Sequence, residues 1–454
     1  MMDTVTMKYV DLYESHKDII WENSSEILNN LRSEAISNFK KEGLPTRKSE
    51  KYKYTPIAKS FDAHYNVHFD KQGGGLERGQ KFNCDVLDLD TIQAFLFNDS
   101  FIVDKTLTSS LPKGVTIGGL NDMSEKFLEW FAKYYGKIAN TRDDSITALN
   151  TALVQDGIFV YISKDTIVDK PIQLINLLGG DLETMVNRRL LIIAEENSQV
   201  DILLCNHSIS SSKTLMTGVT EIYALDNAQV NFYEIEETNE LSHRFNNTFL
   251  YQEKGSNVHL NGMTLHNGLS CNTTNVILAG QGAHIDCNGM AIVDKNQHVD
   301  NITLIDHAVP NCTSHELFKY VQDDSSLGAF TGMILVRPNA QKTNSEQTCR
   351  SICLTNDARM HARPQLEIYA DDVKCGHGAT VGQLDENALF YMRSRGLTVD
   401  EARFLLMFAF INEVVDTLSI DSLKNRLHIL VEKRFRGEVC HCKEDALDKE
   451  IKCF

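Results

Sequence analysis

The chain has 454 residues, 42% of them hydrophobic and 24% charged, enough apolar material for two or three domains around a substantial core. Its 45 Lys and Arg stand against 62 Asp and Glu, a formal net charge of −17, which argues against phosphate-backbone binding and leaves nucleic acid out of the expected partners. Met1 to Val10 lack a charged start followed by a long apolar core, and the longest strongly apolar run, Phe404 to Ile411, falls well short of the roughly twenty residues of a bilayer span, so neither export nor membrane insertion is expected.

In chain order, residues 1 to about 60 read as helical, with Trp21, Ile27, Leu28, Leu31 and Ala35 at helical spacing before Gly43-Leu44-Pro45 breaks the pattern. Gln72-Gly73-Gly74-Gly75 reads as a turn or loop, and Ser124 to Tyr135 as a further helix, closing an N-terminal helical and mixed domain over 1–150. From about Leu153 to Leu384, short runs of Val, Ile, Phe and Tyr alternate with polar turns, strand after strand. The turns repeat: Asn197-Ser198-Gln199-Val200, Asn227-Ala228-Gln229-Val230, Gly255-Ser256-Asn257-Val258 and Gly282-Ala283-His284-Ile285 share one pattern. Asp324-Ser325-Ser326-Leu327 and Asp357-Ala358-Arg359-Met360 are looser copies. The small residues at 198, 228, 256, 283, 325 and 358 give steps of 30, 28, 27, 42 and 33. Gly262-Met263, Gly289-Met290 and Gly332-Met333 form a second echo. A period near 30 predicts a mainly β protein whose central core, over 151–384, is a right-handed parallel β-helix or solenoid. A β-sandwich is the alternative, but its hairpins recur about every 8–12 residues.

The last zone, 385–454, is predicted to be a small C-terminal helical bundle with a flexible tail. Asp385 is placed to cap a helix that Gly396 stops. Thr398 and Glu401 form a capping box for a second helix, with Ala402, Leu405, Leu406, Ala409, Phe410 and Val414 as its apolar residues. Asp421 is expected to cap a third, with Leu423, Leu427, Leu430 and Val431 on one face. Such helices either dock a partner or cover the β-stack.

The sharpest chemical signal is Asp371-Asp372-Val373-Lys374-Cys375-Gly376-His377-Gly378. In an extended strand, residues two apart share a face, so Cys375 and His377 stand side by side roughly 6–7 Å apart. Thiolate and imidazole both ligate iron, but two ligands do not complete a cluster that needs four, so a site here borrows ligands from another chain. The plain alternative is a buried cysteine beside a hydrogen-bonded histidine. His307, Cys312 and His315 lie close together around Pro310, and Cys349 and Cys353 are four apart; turn chemistry and unrelated thiols account for them. Cys440-His441-Cys442 with Cys453 resembles a zinc ligand set in a charged tail where disorder is the simpler expectation. The eleven cysteines are odd in number and scattered, which reads as free thiols in a reducing, cytoplasmic setting. No phosphate-binding loop, dinucleotide fingerprint, nucleophile elbow or paired-carboxylate motif appears, so no self-contained catalytic apparatus is expected.

Several motifs in order resemble a known family. Pro364-Gln365-Leu366-Glu367-Ile368, the run Asp371 through Gly382, and Leu389-Phe390-Tyr391-Met392-Arg393-Ser394-Arg395-Gly396 resemble the signature of the SufB/SufD family of iron–sulfur cluster assembly scaffolds. Gly43-Leu44-Pro45-Thr46-Arg47-Lys48 with Glu50, Tyr52, Lys53, Tyr54 and Thr55 resembles its N-terminal motif, with Tyr52 where a tryptophan is common. Asp156-Gly157-Ile158-Phe159-Val160-Tyr161, Lys170-Pro171-Ile172, Phe330-Thr331-Gly332-Met333 and Gln341-Lys342-Thr343 also fit. Met392 stands where SufB-like chains carry a cysteine, which points to the SufD side of the family. The resemblance implies a non-catalytic scaffold subunit. Its β-helix pairs with a SufB-like paralogue, or with itself in isolation, and its C-terminal helices dock a SufC-like ATPase. It further implies that Cys375 and His377 transiently hold iron of a nascent cluster at the paralogue interface, with nothing bound tightly by the isolated chain. A β-helical enzyme acting on polysaccharide or acyl substrates, and a stand-alone metal-binding protein, are the competing readings that the repeat and the cysteines alone would allow.

Overall fold

A computed structural model describes residues 3–69, 89–98, 100–103, 107, 111–180 and 182–437. The Gly73–Gly75 segment and the cysteines at 440, 442 and 453 lie outside the described residues.

The N-terminal region forms two long helices, Thr4–Glu22 and Glu26–Glu42, where the sequence reads as one helical stretch. Asp3 caps the first by accepting from the Thr6 N–H, and Gly43, at φ 69°, ends the second. Arg32, fully buried, donates from Nη1 to the Ala152 carbonyl at 2.8 Å, tying the second helix to the buried helix Ser145–Leu153. The predicted helix over Ser124–Tyr135 is two short ones, Leu120–Lys126 and Leu128–Tyr134, because Phe127 leaves helical geometry.

Among the described residues the strands make two sheets. The ten-stranded sheet runs from Lys374–Gly382 through Asn344–Cys353, Thr313–Gln322, His284–Val293, Asn257–His266, Gln229–Glu237, Gln199–Ser208 and Ile172–Leu178 to Ile92–Phe97 and Ser100–Ile102. The nine-stranded sheet runs from Arg359–Ile368 through Leu327–Val336, His298–His307, Leu269–Leu278, His243–Gln252, Thr214–Ala224 and Thr184–Ala194 to Ile158–Ile162 and Val115–Gly119. From Ile158–Ile162 onward consecutive strands fall in opposite sheets, and each pairs in parallel with the strand two places on, the pairing of a β-solenoid rather than of hairpins. Among the described strands, antiparallel pairs occur only at the N-terminal end, Ile92–Phe97 with Ser100–Ile102 and Val115–Gly119 with Ile158–Ile162.

The repeated turns have a backbone cause. Asn197, Asn227, Gly255, Gly282 and Asp324 all have positive φ, between 49° and 79°, a region that Gly and Asn enter at least cost. The small residue after each of the first four is buried: Ser198, Ala228, Ser256 and Ala283. The irregular step of 42 comes from jumping sheets. After Ala283 the same series continues with Asn311-Cys312 and Lys342-Thr343, whereas Asp324 and Asp357 precede strands of the other sheet. The second echo divides in the same way. Gly262 and Met263 pair in register with Gly289 and Met290, while Gly332 and Met333 lie in the opposite sheet.

Inward residues of both sheets, among them Leu190, Ile222, Val258, Ile285 and Phe330, form the solenoid core. The outer faces are covered by different helices. Tyr9, Phe39 and Phe61 pack with Met185, Leu215 and Phe245 on the nine-stranded sheet. Met407, Ile411, Val414, Leu423 and Leu427 pack with Ile235, Met263 and Val321 on the ten-stranded sheet. The predicted C-terminal caps form: Asp385 accepts from the N–H groups of Asn387 and Ala388, and Thr398 from that of Glu401. Asp421 is instead the first residue of Asp421–Phe435, with Ile420 at the cap position. On Val399–Val415 the buried side is Ala402, Met407, Ile411, Val414 and Val415; Ala409 is exposed, because the helix lies on the sheet along a different stripe from the one predicted.

Candidate functional site

Cys375 and His377 lie on Lys374–Gly382, the terminal strand of the ten-stranded sheet. One edge of this strand pairs with Asn344–Cys353, placing Cys375 opposite Ser345 and His377 opposite Gln347. No described strand pairs with its other edge. Cys375 is half-buried, touching the small cluster of Ile334, Val336, Ala340 and Ala370, and His377 is exposed. Burial pushes the Cys375 thiol up, opposed by a backbone hydrogen bond from Ser345. Alternation puts both side chains in the inward column, whose equivalents one coil earlier, Ser345 and Gln347, are buried. With no further coil stacked on it, the column opens into a hollow lined by Ser345, Gln347, Cys375 and His377. A Cβ at Gly376 or Gly378 would meet nothing within 4 Å. Among the described residues, the pair is therefore neither walled in nor completed by further ligands. It offers one sulfur and one imidazole at an unpaired strand edge.

Behind the pair the interior is polar, which sequence reasoning missed. Ser345 and Ser314 share a hydrogen bond of 2.7 Å, and Ser314 Oγ lies 2.9 Å from His307 Nε2. Gln347 donates to Glu316 at 2.5 Å. Burial raises the Glu316 carboxyl to about 7 and lowers His307 to about 4, so near neutral pH His307 is neutral and Glu316 stands close to half-protonation. The only signal for this column was the register of the repeat, which sets Glu316, Gln347 and His377 in line. Deeper in, Arg188 and Arg244 meet Glu234 inside the solenoid. Burial would raise Glu234, but Arg244 and Arg188 outweigh it and hold the carboxyl low.

The other candidates separate. His307 and Cys312 are buried, while His315 is on the outer face of the ten-stranded sheet. Cys349 is in the solenoid core and Cys353 is half-buried on the same strand, Cys353 Sγ lying 3.7 Å from Gln322 Oε1. Beyond the terminal strand, helix Glu386–Ser394 has no buried residue and presents Phe390 (73% exposed) and Tyr391 (58%). No described helix is long and apolar enough to cross a membrane.

Comparison with known proteins agrees with this architecture. The SufBD core domain of the SUF iron–sulfur cluster assembly system matches residues 177–410, and the SufBD N-terminal region matches residues 3–174. An iron–sulfur cluster assembly SufBD family protein of Synechocystis is 32% identical over 74% of this chain and 76% of its own length. The iron–sulfur cluster assembly protein SufD of Escherichia coli is 26% identical over 87% and 90%, and that of Bacillus subtilis 29% over 71% and 75%. Two family regions that together span the helices and the solenoid, and a relative this similar over most of both chains, show that the chain belongs to the SufBD family of iron–sulfur cluster assembly proteins.

Proposed function

We propose that the chain is a SufD-type scaffold subunit, without a catalytic centre of its own, that pairs with a SufB-like paralogue through the open end of its solenoid. The observation that carries this is the terminal strand, with Cys375 and His377 in an inward column that no further coil closes. A strand or coil end from a second chain satisfies the free backbone groups and supplies the missing ligands in one step. The nascent cluster is cargo held between the chains, its iron bound transiently by Cys375 and His377. The exposed aromatic face of Glu386–Ser394 supports docking of a SufC-like ATPase beside that interface.

The test is co-expression with a SufB-like chain and a SufC-like ATPase from the same source. A stable ternary complex is expected. Cys375→Ala and His377→Ala variants should keep the wild-type thermal midpoint and complex, yet lose most cluster formed anaerobically from iron and sulfide. Wild-type assembly by both variants, or failure of the three proteins to co-elute, overturns the reading.

A further inference from the structure

A second group of metal-type ligands stands on the outer face of the ten-stranded sheet. His284 and Asp286 lie on one strand and His315 on the next; the register sets His259, Asp286 and His315 side by side on three adjacent strands. Their neighbours Ile285 and Cys287 belong to the solenoid core, so these side chains point outward. Asp286 Oδ2 is 3.2 Å from His284 Nε2 and 3.3 Å from His259 Nε2, and Oδ1 is 3.1 Å from His315 Nδ1. One ligand atom each from His284, Asp286 and His315 lies within 4.8 Å of the others. Asp286 is about one-fifth exposed and His284 under one-third, so the group is reachable without being fully solvated.

We propose that His284, Asp286 and His315 bind a divalent first-row transition-metal ion, with His259 beside Asp286 Oδ2 as a neighbour of the carboxylate. Two imidazoles and a carboxylate are a set that suits zinc and ferrous iron over calcium or magnesium, which take oxygen ligands. Around an ion with bonds of about 2.0–2.2 Å, neighbouring ligand atoms sit roughly 3.0–3.5 Å apart. The 3.2 Å from His284 Nε2 to Asp286 Oδ2 and the 3.1 Å from His315 Nδ1 to Asp286 Oδ1 already match, and a spacing of up to 4.8 Å closes with about 1.3 Å of side-chain adjustment. The orienting contact is also present. His284 Nδ1 lies 2.5 Å from Thr313 Oγ1, and a hydroxyl that accepts from Nδ1–H leaves the Nε2 lone pair facing the carboxylate. Further along the same strands the C-terminal helices cover the sheet, with Asn288 bonding to Thr417 at 3.2 Å and Lys319 to the Phe410 carbonyl at 2.8 Å, so the histidines stand at the margin of that cover.

The site is distinct from Cys375 and His377, which face inward on the terminal strand. It needs no partner and does not depend on the scaffold reading. The test uses the full-length chain with Cys440→Ser, Cys442→Ser and Cys453→Ser, which removes the C-terminal thiols. Titration with cobalt(II), in the presence of excess magnesium, should give one bound equivalent with visible d–d bands typical of a nitrogen and oxygen ligand set. The His284→Asn/His315→Asn pair and the conservative Asp286→Asn should each weaken binding more than about tenfold, a loss that even changes beyond the ligands themselves can reach. Both should leave the metal-free thermal midpoint unchanged, and zinc(II) and anaerobic iron(II) should compete with cobalt. Adding Cys375→Ala and His377→Ala should leave the cobalt equivalent intact. Absence of cobalt uptake, uptake indifferent to the His284, Asp286 and His315 changes, or loss of uptake with the Cys375 and His377 changes overturns the assignment.

Discussion

Near the N-terminal end of the solenoid, every residue of Thr184–Ala194 is buried; at the other end, every residue of Lys374–Gly382 except the half-buried Cys375 is exposed. Both are strands of the same repeating coil. The first end is closed by antiparallel strands and by the helices around Phe131, Tyr134 and Ser145–Leu153, which cover even charged groups such as the Arg189–Glu221 ion pair. The second end stops with its inward column in the open. A solenoid stabilises each coil through its neighbours, so the contrast puts structural weight at one end and leaves the other end open, where the partner chemistry is proposed.

Five substitutions break or sharpen that contrast, taken from the largest expected effect to the smallest. Arg189→Ala leaves Glu221 buried and uncompensated and should cost about 3–5 kcal/mol in urea denaturation of the isolated chain. Ile285→Ala, in the middle of the core, should cost about 2–5 kcal/mol, whereas Leu366→Ala on the half-open last coil should cost about 1 kcal/mol or less until a partner seats on it. Equal losses at the two positions would mean that the terminal coil is packed as well as the middle. Glu316 adds a pH signature. Burial raises its folded value from 4.5 to about 7, so between these values the folded chain holds a proton that the unfolded chain has released. Its contribution to stability is therefore present below about pH 4.5, declines as pH rises and is lost above about 7. Glu316→Gln should flatten that part of a stability-against-pH curve. Phe390→Ala, on the helix with no buried residue, should change stability by no more than about 0.5 kcal/mol while weakening retention of the SufC-like ATPase proposed above in pull-downs.

Much of the fold was legible because its turns make a demand that few residues meet. Asn197, Asn227, Gly255 and Gly282 occupy positive-φ positions, and the spacing between them is the coil length. The series was lost where Lys342 meets the same demand, since lysine carries no turn signal, and where copies from the two sheets were read as one set. That Cys375 and His377 share one face was legible because strand alternation is local. The His284, Asp286 and His315 group was not, because its members come together through lateral register between coils: Asp286 meets a histidine 29 residues on. Proximity along the chain had grouped His315 with His307, which faces the interior. The apolar stripe of Val399–Val415 was misplaced for a related reason, as the sheet beneath it determines which side is covered.

The edge of Lys374–Gly382 with which no described strand pairs does not discriminate by itself between a cognate neighbour and another copy of the same polypeptide. Under the pairing proposed above, which species forms follows from relative synthesis: balanced production would fill the rim with the paralogue, and surplus would bring two copies of the chain together. The open coil thus makes the dosage of this subunit matter as well as its sequence.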